Sequence, residues 1–157
     1  MIELLPVPHA VAVAVCTYRE PPVPHVPDWP HAATADALRP LAEHPDDTGE
    51  GTFLVLEDGL VVGDCGWLGP PQEGVVDVSY GLAPSARGRG LGTATVQLLV
   101  GWVAARGAVQ VRAEVRPGNA ASLRLLARLG FVEVGEHAGH RVLVLTVGSR
   151  PPPAPGS

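Results

Sequence analysis

The segment SARGRGLGTA, residues 85–94, constrains the fold of this chain more than any other. It joins the alternating apolar run VVDVSYGLA (75–83), which predicts a strand, to residues 91–106, whose apolar periodicity predicts a helix. Glycines let backbone N–H groups converge at such a turn, and the unpaired N–H groups of the following helix attract anions. Arg87 and Arg89 add guanidinium groups, which match phosphate well. The segment therefore predicts a phosphate-binding turn.

Two common phosphate-binding motifs do not fit this segment. A P-loop ends in Gly-Lys-Ser/Thr, and the chain has no lysine. A dinucleotide fingerprint needs GxGxxG, but from Gly88 or Gly90 the last position falls on Thr93 or Thr95. A third kind of phosphate loop is therefore required.

Hydrophobic periodicity predicts the other elements. HAVAVAVCTY (9–18) alternates and predicts a strand, whereas the proline-rich residues 20–34 predict a surface loop. TFLVLE and LVVGDCGWL flank Asp58-Gly59, which favours a tight hairpin. The remaining predictions are a strand over 109–115, a helix over 120–129 capped by Asn119, and two closing strands. The order predicts a mixed α/β sheet.

Length and composition indicate one globular domain over 1–147, followed by a disordered proline-rich tail over 148–157. No apolar run is long enough to span a bilayer and the start lacks a basic n-region, so a cytoplasmic protein without membrane contact is expected. Cys16 and Cys65 form no CxxC pair and the histidines no HExxH motif, so no metal is expected. His31 is expected at the surface.

Charge divides the chain into two unlike halves. Residues 1–80 hold 13 acids and 2 arginines, a net charge of −11, whereas residues 81–157 hold 3 acids and 9 arginines, a net charge of +6. This predicts an anion bound by the C-terminal half and a cationic partner for the N-terminal half, including HPDDTGEG (44–51). Nucleic-acid binding is not expected, because no basic stripe alternates with aromatic residues.

Two motifs together point to a family. Arg87-x-x-Gly90-x-Gly92 resembles the pyrophosphate loop of the GNAT N-acetyltransferases, and EVRPGNAASLRLLARLGF (114–131) resembles their second signature. The resemblance covers about residues 52–147. Within the family, these motifs are most similar to those of the group that acetylates ribosomal-protein N-termini. The resemblance implies a GNAT fold, an α/β (α+β) architecture with a mixed, mostly antiparallel central sheet and helices on both faces.

The resemblance also implies a site for acetyl-coenzyme A (acetyl-CoA). The N–H of Leu82 is expected to donate to the thioester carbonyl oxygen, and backbone N–H groups from Gly88 to Thr93 to bind the pyrophosphate. The cofactor-binding residues implied are Tyr80, Gly81, Leu82, Arg87, Gly88, Arg89, Gly90, Leu91, Gly92, Thr93 and Asn119.

The predicted reaction transfers acetyl to a primary amine, either a protein N-terminus or a small cationic amine, by direct attack in a ternary complex. An ammonium must first lose a proton, and Glu114 and Asp77 are alternative bases. Many family members carry a tyrosine acid where this chain has Leu126. Either the thiolate leaves without an acid, or Ser122, Tyr80 or water protonates it. The alternative function is a catalytically silent acyl-CoA-binding module. Dimers are common in the family, so the resemblance allows a homodimer, but the sequence leaves the oligomeric state open.

Overall fold

The computed structural model describes residues 1–46 and 49–148. Within those ranges the chain forms seven strands and four helices, none of the helices being long and apolar enough to cross a bilayer. The strands are β1 (Ile2–Pro6), β2 (Thr52–Glu57), β3 (Leu60–Trp67), β4 (Val75–Leu82), β5 (Gln110–Val115), β6 (Val132–His137) and β7 (His140–Thr146). The helices are α1 (His9–Cys16), α2 (Thr34–Glu43), α3 (Leu91–Ala105) and α4 (Ala120–Arg128). The tail predicted to be disordered lies outside the described residues from position 149 onwards.

These strands form one sheet in the order β1-β2-β3-β4-β5-β7-β6. β4 and β5 are parallel and are connected through α3, whereas every other neighbouring pair is antiparallel. A parallel pair needs such a crossover, because its strands run in the same direction. The prediction of a mixed, mostly antiparallel sheet is confirmed.

The hairpin between β2 and β3 turns at Asp58 and Gly59, whose φ angles are 50° and 85°. Two consecutive positive φ angles are what a two-residue hairpin turn of the favoured hand requires, and Asp-Gly tolerates them. The hairpin predicted from this dipeptide is confirmed.

Helices cover both faces of the sheet. α3 and α4 pack on one face, where Val96, Leu99 and Leu126 are fully buried in the larger apolar cluster. α1 and α2 pack on the other face, where Val11 and Leu38 belong to a second cluster. The expectation of helices on both faces is confirmed.

The strand predicted over HAVAVAVCTY (9–18) is wrong, because this segment forms α1. Over residues 10–15 valine alternates with alanine, so the alternation carries little contrast between polar and apolar faces, and alanine favours helix. Val11, Ala12 and Val15 are buried together, a spacing that fits one side of a helix. The first strand is Ile2–Pro6, which pairs with β2.

Candidate active site

The loop after β4 presents the N-terminal end of α3. Gly88 and Gly90 both have a φ of +79°, a left-handed conformation that disfavours side chains, and nothing lies within 4 Å of the position of an added Cβ. Gly92 allows α3 and α4 to approach closely, since a Cβ there would lie 2.7 Å from Leu125 Cδ1. The unpaired N–H groups of the first helical turn therefore open onto free space, as an anion site requires.

A cleft of about 900 Å³, called here the donor cleft, opens between this loop, the end of β4 and α4. Its charged lining residues, among those that the structure describes, are Arg87, Arg116, Arg124 and Arg128. Arg87 Nε donates to the carbonyl of Leu82 at 3.2 Å. The other three arginines form no side-chain ion pair within the described residues. The cleft is therefore positively charged and suited to phosphate groups.

β4 and β5 separate at the edge of the donor cleft. Their parallel pairing ends at Val78 and Ala113, although β4 remains paired with β3 as far as Leu82. The N–H of Ala83 donates to the Val62 carbonyl of β3 at 2.8 Å. Successive N–H groups of a strand point to alternate sides, so the N–H groups of Leu82 and Tyr80 point away from β3. Both groups therefore face the gap between β4 and β5.

A second cleft, of about 840 Å³ and called here the acceptor cleft, lies beside the start of α2 on the opposite face of the sheet. The residues that line both clefts are Tyr80, Gly81, Arg87, Arg116, Asn119 and Ser122. The two clefts therefore meet where β4 and β5 separate. A group held in one of them is accessible to a group held in the other.

The acceptor cleft contains charges of both signs. Its acidic and arginine lining residues are Asp36, Asp77, Glu114, Arg87, Arg112 and Arg116. Residues 47 and 48 of HPDDTGEG (44–51) lie outside the described ranges. The described residues of this segment do not line the acceptor cleft, and Glu50 binds Arg106 at 3.2 Å.

The two predicted bases both bind Arg112. Arg112 Nη1 donates to Asp77 Oδ1 at 2.8 Å, and Nη2 donates to Glu114 Oε1 at 3.0 Å. Glu114 Oε1 also lies 2.6 Å from His137 Nδ1. Partial burial raises the pKa of Glu114, but the hydrogen bonds from His137 and Arg112 outweigh it and leave the pKa below its ordinary value. Glu114 therefore stays ionised and is a weak proton acceptor.

Tyr80 and Ser122 connect β4 to α4 at the junction of the clefts. The Tyr80 hydroxyl and Ser122 Oγ share a hydrogen bond. Burial raises the pKa of Tyr80, and the bond to Ser122 offsets only part of that effect. Leu126 is fully buried in the apolar core and lines neither cleft. Leu126, at the position of the family's tyrosine, cannot donate a proton. The Tyr80–Ser122 pair instead places an O–H donor at the junction of the clefts.

Of the predicted cofactor-binding residues, only Arg89 and Leu91 do not line the donor cleft. Arg89 Nη1 binds both carboxylate oxygens of Glu57 at 3.0 Å, and Leu91 packs in the apolar core. Asn119 lines both clefts and also caps α4, since its side chain accepts from the N–H of Ser122 at 3.2 Å. The predicted cap is confirmed.

A buried polar cluster beside Gly81 gives no signal in the sequence. The His31 side chain, expected at the surface, is only 7% exposed, and its Nε2 lies 3.0 Å from Asp64 Oδ2. Asp64 also accepts from Trp29 Nε1 at 3.1 Å and Thr34 Oγ1 at 2.8 Å. A Cβ at Gly81 would lie 2.7 Å from His31 Cε1. The His31 side chain is therefore held in place and forms part of the lining of the acceptor cleft.

Comparison with known proteins agrees with this geometry. Residues 6–132 match the family described as the acetyltransferase (GNAT) domain. The chain belongs to the GNAT acetyltransferases. This GNAT chain is 39% identical over 80 residues to the L-2,4-diaminobutyric acid acetyltransferase of Nocardia farcinica. That match spans 49% of this chain and 42% of the relative, so the chain covers less than half of the relative's length.

Solved GNAT structures share the fold of this chain. The phosphinothricin acetyltransferase of Sinorhizobium meliloti, in complex with acetyl-CoA, is 20% identical with a TM-score of 0.67, over 97% of this chain and 94% of that one. The ribosomal-protein-S5-alanine acetyltransferase of Vibrio fischeri is 20% identical with a TM-score of 0.65, over 92% of each chain. The family resemblance and the GNAT fold are thereby confirmed.

Acetyl-CoA is the co-substrate of the GNAT family. The donor cleft of this GNAT chain suits it on two counts. Gly88 and Gly90 leave space in front of backbone N–H groups, and the charged side chains of the described lining are all arginines. The residues present therefore fit a ligand that carries several phosphate groups.

Proposed function

We propose that this GNAT chain transfers acetyl from acetyl-CoA to a primary amine by direct attack in a ternary complex. The observation that carries the proposal is the meeting of the donor and acceptor clefts where β4 and β5 separate. A donor on one face and an amine on the other would face each other through this gap, with no need for a covalent acyl-enzyme.

The donor side would hold acetyl-CoA, which supplies the activated acetyl thioester. Backbone N–H groups of the glycine loop, with Arg87, Arg124 and Arg128, would bind its phosphates. The N–H of Leu82 faces the gap and would donate to the thioester carbonyl oxygen as negative charge develops there, a contribution of about 3 kcal/mol for one such donor.

The proton required by the departing sulfur would come from the Tyr80–Ser122 hydroxyl pair. Tyr80 keeps its proton at neutral pH because burial raises its pKa. Ser122 lines both clefts, so the pair lies at their junction. This arrangement would replace the tyrosine that the family places at the position of Leu126.

The acceptor cleft favours a small amine that also carries a carboxylate. Arg39 Nη1 donates to Asp36 Oδ1 at 2.6 Å, so the Asp36 carboxylate has its second oxygen left for an ammonium group. The Arg116 side chain has no ion pair within the described residues. A purely cationic polyamine would leave such an arginine unmatched. Diamino acids satisfy both charges, and the named substrate of the Nocardia relative is of this class.

Calorimetric titration with acetyl-CoA tests the donor site. We expect saturable binding that Gly90→Ala weakens by about 10-fold, because a Cβ at positive φ costs about 1–2 kcal/mol in the bound loop and occupies the ligand's space. Gly59→Ala is the matched control: its φ is +85°, its surroundings are equally open, and it lies in the β2–β3 hairpin. Equal losses in both variants, or no binding by the parent protein, would overturn the donor site.

Turnover separates the enzyme from the silent-module alternative. Thiol release from acetyl-CoA would be followed with L-2,4-diaminobutyrate, spermidine and a peptide with an N-terminal alanine. We expect the diamino acid to be preferred, with acetylated product identified by mass spectrometry. Tight acetyl-CoA binding without amine-dependent thiol release would favour the silent module. Preference for spermidine or the peptide would instead overturn the diamino acid assignment.

A further inference from the structure

His137, at the end of β6, makes a contact that determines where its proton lies. Its Nδ1 is 2.6 Å from Glu114 Oε1. An ionised carboxylate can only accept a hydrogen bond, so Nδ1 carries the proton. In the neutral ring the lone pair is then on Nε2, and the 67% exposed side chain lies in the lining of the acceptor cleft. A carboxylate thus fixes the tautomer of a histidine that faces the substrate side.

We propose that His137 Nε2 accepts the proton of the acceptor ammonium and that Glu114 acts as a positioning residue for His137. The inference rests on the proposed function. An ammonium N–H bond breaks with its electron pair retained by the nitrogen, and a new N–H bond forms at Nε2. Glu114 then faces an imidazolium, which it stabilises. His137 returns the proton to solvent after the amine has reacted.

The other candidates in the acceptor cleft are less suitable as bases. Glu114 Oε1 and Asp77 Oδ1 are both held by the Arg112 guanidinium. His31 Nδ1 accepts from the N–H of Ala33 at 3.2 Å, so its lone pair is occupied, and Nε2 is buried 3.0 Å from Asp64 Oδ2. Among the described residues that line the acceptor cleft, His137 is the histidine whose Nδ1 forms a hydrogen bond with a carboxylate.

The charged groups around His137 come from several strands. β5 supplies Glu114 and Arg112, β4 supplies Asp77, and β7 supplies His140 and Arg141, which pair with the end of β6. The titratable and charged residues on β6 itself and around it are Asp77, Arg112, Glu114, Arg116, Glu133, Glu136, His140 and Arg141. Among the described residues, Glu114 is the member of this set that forms a hydrogen bond with the His137 ring.

Long-range ¹H–¹⁵N NMR of the histidine rings tests the tautomer without any substrate. We expect His137, assigned by its loss in His137→Gln, to be protonated on Nδ1 when neutral, and Glu114→Gln to move the proton towards Nε2. The exposed His44 is the internal reference and stays unchanged in Glu114→Gln. A His137 protonated on Nε2 in the parent protein, or one that ignores Glu114→Gln, would overturn the proposed pair.

Kinetics with acetyl-CoA and L-2,4-diaminobutyrate test the proton transfer. We would divide kcat/KM of the parent protein by that of His137→Gln at each pH. The titration of the substrate ammonium affects both enzymes equally and therefore cancels in this ratio. We expect the ratio to be near 1 where the His137 ring is protonated and cannot accept a proton, and to rise with pH to about 100-fold. His44→Gln gives a flat ratio of about 1, whereas a flat ratio for His137→Gln would refute the base role. Absent turnover despite acetyl-CoA binding would count against the acceptor in the proposed function, and the NMR result would then decide the pair.

Discussion

At the scale of single residues, the Tyr80 hydroxyl is the proposed proton donor to the departing sulfur. We expect Tyr80→Phe to lower kcat by about 10-fold and to leave acetyl-CoA affinity nearly unchanged. General acids contribute about 10²–10⁴-fold in many enzymes, but a thiol of pKa about 8.5 is a good leaving group and needs less help. Steady-state kinetics together with calorimetry would measure both quantities.

The pH dependence of the Tyr80 effect has a definite sign. Because burial raises the pKa of Tyr80 above that of an ordinary tyrosine, the hydroxyl stays protonated between pH 7 and 9, and the ratio of parent to Tyr80→Phe kcat does not decline over that range. Tyr18→Phe is the matched control, since the Tyr18 side chain is 93% exposed and lines neither cleft. A Tyr80→Phe enzyme with full kcat would assign the proton to water.

At the scale of elements, the separation of β4 from β5 leaves two kinds of amide on one strand. The N–H of Leu82 faces the gap, whereas the alternation of the ladder directs the N–H of Gly81 towards β3. We expect acetyl-CoA to slow hydrogen exchange at Leu82 and to change exchange at Gly81 little, because only the gap-facing amide gains a partner. Residue-resolved exchange by NMR, with and without acetyl-CoA, would measure both amides.

The contrast between neighbouring residues is the internal control for that experiment. Equal slowing at both positions would indicate general tightening of β4 rather than a bond from Leu82. Unchanged exchange at Leu82 under saturating acetyl-CoA would contradict its role as the donor to the thioester carbonyl.

Elements defined by local chemistry were predictable from the sequence. Asp58-Gly59 turns a hairpin because both φ angles must be positive, and Asn119 caps α4 because its side chain reaches an unpaired N–H. Helix α1 was not predictable in this way. Its valines and alanines suit either element locally, and packing against α2 and the sheet selects the helix.

The contacts that define the acceptor cleft depend on strand order instead. Glu114 lies on β5 and His137 on β6, and β7 pairs between these strands in the sheet. His31 meets Asp64 only because the proline-rich loop returns to β3. No spacing within the sequence encodes either contact, since both pairs are distant along the chain and are joined by tertiary packing alone.

At the scale of the whole molecule, the charge of each cleft differs from the net charge of the chain. The net charge is −5, yet the charged lining of the described donor cleft consists of arginines alone. The acceptor cleft contains acids and arginines together. This distribution would attract a polyanionic donor and the proposed amine with its own carboxylate to opposite faces of one sheet, despite the acidic balance of the chain.

This distribution predicts how salt acts on donor binding. We expect added NaCl to weaken acetyl-CoA binding, and the double variant Arg124→Gln/Arg128→Gln to weaken it by a few-fold at low salt and to reduce its salt sensitivity. Exposed ion pairs are individually weak and are screened over about 10 Å at 0.1 M salt. Arg106→Gln is the matched control, because Arg106 pairs with Glu50 and lines neither cleft. Calorimetric titrations at several salt concentrations would measure the dependence. Equal salt slopes for the parent protein and the double variant would mean that the α4 arginines do not contact the phosphates, and that the glycine loop and Arg87 bind them alone.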